Sequence, residues 1–383
     1  MATRRRAFGN IRPAGKSSWQ ASYKVNGQRF VAPSTFPSKA DASAWLANIQ
    51  ADINRGIWID PTAGKESLAQ YVAGWLERKQ KTGHYRPRTL ELVTGLLDRI
   101  VLPALGDREL AEIKTPLVRS WHADVAAKHS PGQAAKSYRL LRTILGEATS
   151  DGIIPFNPCA IKGAGNEPAS ERPKPSLEMI DAVVASLNDR YCHRNHKPSD
   201  HRYEALTWTA ALSGLREGEM FALERQDVDL LHRTISVTKQ SQNVGNQRIV
   251  GPPKTTAGNR VVVIPATLAA MLDTHLATYV GPRPDSLVFT SDEGLPMHRT
   301  RWAFVWRRAT KSAGLEGLHF HDLRHHAGTL AAQLGATTKE LMERLGHSTI
   351  RASLIYQYST QKRQRELADR MDAALKLRSS GVA

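Results

Sequence analysis

Cysteine is nearly absent: the chain of 383 residues has two, Cys159 and Cys192. Two thiols so placed make neither a disulfide framework nor a spaced metal site, and they suit a reducing cytoplasm. Also missing is any apolar run approaching the roughly 18 residues that a membrane span needs. The basic start, Arg4-Arg5-Arg6, leads into no signal-peptide core, so a soluble cytoplasmic protein is expected. Negative charge is scarce. Lys and Arg outnumber Asp and Glu by 53 to 36, giving a formal net charge of +17 and a pI near 10.0. Such a surface attracts polyanions, nucleic acid first among them. An anionic membrane is the competing partner, but no amphipathic stretch carries a concentrated basic face. Hydrophobic residues, at 41%, suffice in a chain of this length to bury cores without disulfides or metals.

Three units are expected, in a mainly α architecture with small β-sheets (α+β). The first, 1–62, holds nine Lys and Arg against three acidic residues, the highest density of positive charge in the chain. Strand character from Trp19 to Val25, the hairpin signal Asn26-Gly27 and a return over Gln28 to Ala32 predict a small sheet. Ser38 with Asp41 predicts a capped helix through about Asn54. A basic sheet backed by one helix can lay its strands in a DNA groove; a stabilising subdomain is the alternative. The second unit, 66–160, reads as helical. Ser67 caps a helix with Leu68, Val72, Trp75 and Leu76. A second runs through Leu90, Val93, Leu97, Ile100 and Val101 until Pro103 and Gly106 interrupt it, and two more span about 115–128 and 131–150. Arg86, Arg88, Lys136, Arg139 and Arg142 are candidates for phosphate contacts, or simply solvated charges. Gly, Pro and polar residues dominate 161–175, an extended linker. The third unit, 176–383, is mainly helical after a cap at Ser176, with a β insert over Arg233–Lys239, Gln247–Val250 and Arg260–Ile264.

Four stretches of the third unit combine unusual residues. In Leu212-Ser-Gly-Leu-Arg-Glu-Gly-Glu219, a turn at Ser213-Gly214 places Arg216 at a helix start, where it can meet a phosphate beside free backbone N–H groups. The stretch Gly251 to Arg260 sets Lys254 at the tip between two strands, positioned to donate a proton or merely solvated. Leu318 to Leu330 contains His319, His321, Arg324, His325 and His326. His321 and Arg324 share a face, while Leu323, Ala327 and Leu330 turn to the core. A metal site there is disfavoured, because Arg324 opposes a cation and no Glu or Cys completes a ligand set. Last comes Leu345-Gly-His347, with Gly346 ending one helix and Ser348 or Thr349 opening the next, then Tyr356 and Tyr358. Alone, each of these has an ordinary structural reading.

Together they resemble the tyrosine recombinase (phage integrase) family. Its catalytic domains carry Gly-Leu-Arg-x-x-Glu, a hairpin Lys, His-x-Leu-Arg-His, Leu-Gly-His and a Tyr nine residues beyond that last His. The matching positions here are Arg216, Lys254, His321 with Arg324, His347 and Tyr356. The family often has a His two residues after the nucleophile, where this chain has Tyr358. The resemblance covers about 171–370 closely. More loosely, 66–160 looks like the family's helical core-site DNA-binding domain, and 1–62 like the arm-type DNA-binding domain of some phage integrases.

The resemblance implies a site-specific DNA recombinase that integrates and excises phage DNA through a covalent 3′-phosphotyrosine on Tyr356. Arg216 and Arg324 would grip the scissile phosphate, His347 would add a hydrogen bond, His321 would take the Tyr356 proton and Lys254 would protonate the departing 5′-oxygen. No cofactor and no metal would be needed. The implied partners are double-stranded DNA at core-type and arm-type attachment sites, a homotetramer on that DNA, and an accessory DNA-bending or directionality factor. The tail, with Leu367, Met371 and Leu375 at helical spacing, would dock on a neighbouring protomer or on its own domain. Alternatives are a Xer-like or transposon recombinase, or a catalytically silent DNA-binding regulator.

Overall fold

The computed structural model describes residues 8–56, 58–167, 175–189, 201–245, 247–253 and 255–356, with isolated positions from 365 to 372. Cys192, Lys254, Tyr358, linker residues 168–174 and most of the tail, including Leu367 and Leu375, lie outside the described residues. The chain divides into two compact units, Met1–Ala169 and Ser170–Ala383. Both are mainly helical with small antiparallel sheets, in agreement with the expected class. Among the described residues no helix is long and apolar enough to cross a membrane.

The first unit opens with a three-stranded antiparallel sheet, β1 (Asn10–Gly15), β2 (Ser18–Val25) and β3 (Gln28–Val31). Asn26 and Gly27 both have positive φ, as a two-residue hairpin turn requires, and Val25 faces Gln28 across it. Only the β2–β3 hairpin is expected from sequence. β1 lacks an alternating apolar pattern, since five of its six residues are exposed. Helix α1 (Lys39–Asn54) starts where Ser38 Oγ accepts the Asp41 amide hydrogen. It buries Ala42 and Leu46 against Ala21, Tyr23 and Phe30.

A second apolar cluster belongs to α2 (Leu68–Lys81), α3 (Pro87–Leu96), α4 (Leu102–Leu105), α5 (Thr115–Lys128) and α6 (Pro131–Ser150). Ser67 and Gln70 form a complete capping box for α2. Pro103 does not end the second helical stretch. A π turn over Leu97–Val101 joins α3 to α4, and this wider winding accommodates a residue without an N–H. Trp75, Leu97, Leu141, Ile144 and Leu145 fill the centre of the cluster.

The second unit begins with α7 (Leu177–Asn188), capped by Ser176, followed by α8 (Arg202–Ser213) and α9 (Glu217–Met220). Strands β4 (Val228–Asp229), β5 (Thr234–Val237) and β8 (Arg260–Val263) form one sheet in the order β4-β5-β8. β6 (Gln240–Val244) and β7 (Gln247–Gly251) form a separate hairpin. β6, rich in Gln, Ser and Asn, is absent from the expected strands. Its presence corrects the setting of Lys254, because β7 pairs with β6 and β8 with β5. The loop from 252 to 259 therefore links two sheets and is not a hairpin tip. Helices α10 (Ala266–Tyr279), α11 (Arg299–Ser312), α12 (Asp322–Gln333), α13 (Thr338–Leu345) and α14 (Ile350–Leu354) complete the unit. Leu206, Leu272, Trp302 and Leu323 sit in its core and fix α8, α10, α11 and α12 against each other.

Candidate active site

The site grows from two left-handed glycines. Gly214 ends α8 with φ 71°, and a Cβ there would stand 2.6 Å from Leu345 Cδ2. Gly346 ends α13 with φ 63°. Each turn releases the chain beside the other, because only glycine reaches this conformation cheaply and allows so close an approach.

Helix α13 ends with carbonyls that lack intrahelical partners, at the negative end of its dipole. Three consecutive ones each receive a guanidinium. Arg260 Nε donates to Arg344 O at 2.9 Å, Arg324 Nη2 donates to Leu345 O, and Arg216 Nη2 donates to Gly346 O at 2.9 Å. Arg324 also donates through Nη1 to Gly214 O, so one buried guanidinium ties the two glycine turns together. Burial, then the neighbouring Arg216, pulls Arg324 down to about 10, which leaves it charged at neutral pH.

The cations are balanced by Glu219, whose side chain is 1% exposed. It accepts from the Arg216 amide at 2.8 Å and from Arg216 Nη1 at 2.7 Å, and it pairs with Arg260 Nη2 at 2.9 Å. Burial alone would raise this carboxyl. Hydrogen bonds and charge from Arg260, joined by those of Arg216, hold it below its usual range. Glu219 and Arg260 both fall inside the quoted sequence stretches, yet a motif read along one strand or turn does not reveal that the two side chains meet.

The remaining groups form a row of rings. His321 stands at the N-terminus of α12, 5.2 Å from His325 between ring centroids. His325 is 5.6 Å from Tyr356, and Tyr356 lies nearly parallel to His347 at 5.9 Å, with 12° between the planes. Thus the structure brings five of the six expected residues into one network: Arg216, Arg324 and His347 around the α13 end, and His321 and Tyr356 along the ring row. The sixth, Lys254, is outside the described residues. Sequence reasoning missed His325 as the α12 ring packed on Tyr356. Its position one turn after His321 is the signal that would have found it.

Tyr356 is buried against α12 at Gly328, where a Cβ would lie 2.9 Å from ring atoms Cδ1 and Cε1 and 3.0 Å from Cγ. Gly328→Ala must therefore displace the tyrosine ring or the helix. A misplacement of this kind is expected to cut covalent cleavage about 10²-fold and to cost about 1–3 kcal/mol of stability. Duplex affinity should stay unchanged. Comparing bound and covalently trapped DNA for the two proteins checks this, and equal trapping per bound protein would refute it.

His347 Nδ1 lies 2.9 Å from the Oγ of fully buried Ser353. If that hydroxyl donates, the ring carries its hydrogen on Nε2, ready to donate outward. Burial first, then the charges of Arg324, Arg216 and Arg260, push His347 down to about 4 from an ordinary 6.5. Between those values the unfolded chain binds a proton that the folded chain refuses, so acidification through this window destabilises the fold. Denaturant midpoints should fall as pH drops from 6.5 towards 4, and His347→Gln should flatten that fall. An unchanged slope in the variant would contradict the depressed value.

A comparison of folds finds the Tn1549 transposon integrase, solved in complex with transposon right-end DNA, at TM-score 0.66. The match covers 80% of this chain and 100% of that one, at 18% identity. The two chains share a fold. In sequence, the model of the phage integrase family matches residues 180–363, and that of the phage integrase N-terminal domain matches residues 7–55. The putative prophage phiRv2 integrase of Mycobacterium tuberculosis is 36% identical over 95% of both chains. The integrase of Mycobacterium phage L5 is 32% identical over 97% of this chain and 99% of its own. The chain belongs to the phage integrase family.

Proposed function

We propose that this protein is a site-specific DNA recombinase that joins phage DNA to a bacterial chromosome and releases it, using Tyr356 as nucleophile. The observation that carries this reading is the seating of a buried tyrosine between His325 and His347, next to two guanidiniums locked onto the same helix end. Near-full-length similarity to prophage and phage integrases supports the biological setting.

A tyrosine hydroxyl ionises near 10 and attacks poorly unless its proton is taken and the phosphodiester is held in line. In the proposed step Tyr356 Oη attacks phosphorus, and its proton passes to His321. Arg216 and Arg324 retain N–H groups for the non-bridging oxygens, where charge builds in the pentacoordinate transition state. His347 donates to the same phosphate. The bond from phosphorus to the 5′-oxygen breaks, and Lys254 supplies that oxygen with a proton. The 3′-phosphotyrosine stores the bond until the 5′-hydroxyl of another strand reverses the sequence. Residues 1–62 serve arm-type sites, 66–160 serve core-type sites and 176–383 carry the chemistry, joined by 161–175. Strand exchange between two duplexes calls for a homotetramer, acting on DNA in the cytoplasm of the host cell.

The test is covalent trapping with chelator present. A nicked core-site duplex that sheds a short fragment on cleavage should yield a denaturation-resistant adduct with pure protein. If chelator abolishes the adduct and divalent metal restores it, the tyrosine mechanism fails.

A further inference from the structure

After α6 the chain folds back along that helix. Asn157 Nδ2 donates to Arg142 O at 2.8 Å, and the Ile161 amide donates to the hydroxyl of buried Tyr138 at 2.7 Å. Further on, Arg139 takes hold of two successive groups of this strap. Its Nη1 donates to Gly165 O at 2.6 Å and its Nη2 to Glu167 Oε1 at 2.7 Å. The other carboxylate oxygen, Oε2, lies 3.5 Å from Lys136 Nζ. A Cβ on Gly165 would stand 3.0 Å from Arg139 Cγ, so a glycine is what lets the strap approach the guanidinium this closely.

One carboxylate thus spans two cations placed three residues apart on one face of α6. The arrangement offers a two-oxygen anion the donors that a phosphodiester would use through its non-bridging oxygens. As an anchor Glu167 adds little. The side chains of Lys136, Arg139 and Glu167 are 41%, 48% and 40% exposed, and ion pairs this open contribute least to stability. The strap is already fixed by Tyr138 and Asn157, where its contacts are sheltered or made to backbone. A DNA phosphate competes well for the same cations, because each phosphate neutralised releases counterions into solution.

The geometry points to a phosphodiester-binding site on α6, formed by Lys136 and Arg139, in which Glu167 stands in for a DNA phosphate and is displaced when duplex binds. This rests on the reading of 66–160 as a DNA-binding unit.

The test measures binding of the full chain to a fluorescent mixed-sequence duplex by anisotropy, since phosphate contacts need no particular sequence. Glu167→Gln should bind about tenfold tighter at the same salt, as removal of a charged competitor for two cations allows. Asp98→Asn, an exposed carboxylate on the same unit, makes the same change of charge and should shift affinity less than about twofold. In a Lys136→Gln/Arg139→Gln background the effect of Glu167→Gln should vanish, and the slope of log affinity against log salt should fall by about two. A Glu167→Gln variant that binds no tighter than wild type, or whose gain persists without the two cations, overturns the site while leaving the DNA-binding unit standing. If wild type itself does not bind the duplex, the underlying reading falls and this site falls with it. Thermal melting of each variant guards against loss of fold, which such exposed pairs are not expected to cause.

Discussion

Tyr356→Phe should abolish the covalent adduct, a loss of at least about 10⁴-fold, while duplex affinity stays within about twofold of wild type. The asymmetry follows from where the residue sits. Its ring is packed between His325, His347 and the open face at Gly328, and phenylalanine fills the same seat. Only the hydroxyl is lost, and the hydroxyl is the proposed nucleophile. Binding draws on phosphate contacts made elsewhere on the surface. Tyr358→Phe should leave the adduct intact, because Tyr356 has the family's spacing of nine from His347. Trapping on a nicked core-site duplex reads both variants at once. Loss with Tyr358→Phe alone would move the nucleophile and keep the class. No adduct from a stably bound wild type would instead favour a DNA-binding regulator.

What the sequence disclosed of this site depended on how local each feature is. Gly346 as a helix stop and the pairing of Ser38 with α1 are properties of a few adjacent residues, and they were legible. The same holds for the order of Arg216, His321, Arg324, His347 and Tyr356 along the chain. Contacts that depend on tertiary approach were not. Arg260 looks like the start of a strand, but its guanidinium crosses to Glu219 and to a carbonyl 84 positions away. β6 reads as polar loop because its ladder partner β7 supplies the pairing that its own side chains do not advertise. The π turn before Pro103 is a compromise between a helix-breaking residue and a buried apolar stripe, and in it the stripe prevails. The two glycine turns were visible as punctuation; that they touch through Arg324 was not.

That hidden network carries the other large effect. Glu219→Ala leaves Arg260, whose side chain is 6% exposed, without its buried counter-ion. Breaking one side of such a pair is expected to cost about 3–5 kcal/mol. Cleavage should fall by at least about 10²-fold even at temperatures where the variant is folded, because Arg216 loses the carboxylate that holds both its amide and its guanidinium. The pH dependence separates this pair from His347. Glu219 is held below its usual range, so its stabilisation is full above the unfolded value of about 4.3 and fades only as pH falls through the lower folded value. Loss of stability between pH 6.5 and 4 therefore belongs to His347 first, and Glu219→Ala should shift the whole curve down over that range without steepening it. The decisive variant is Glu219→Met with Arg260→Met, which exchanges the buried ion pair for apolar side chains. Such replacement is often neutral or stabilising, so the melting temperature should return towards wild type. Covalent cleavage should not return, because methionine cannot orient Arg216. Recovery of cleavage along with stability would mean that Glu219 serves the fold alone, and that Arg216 finds its place from Gly346 O without it.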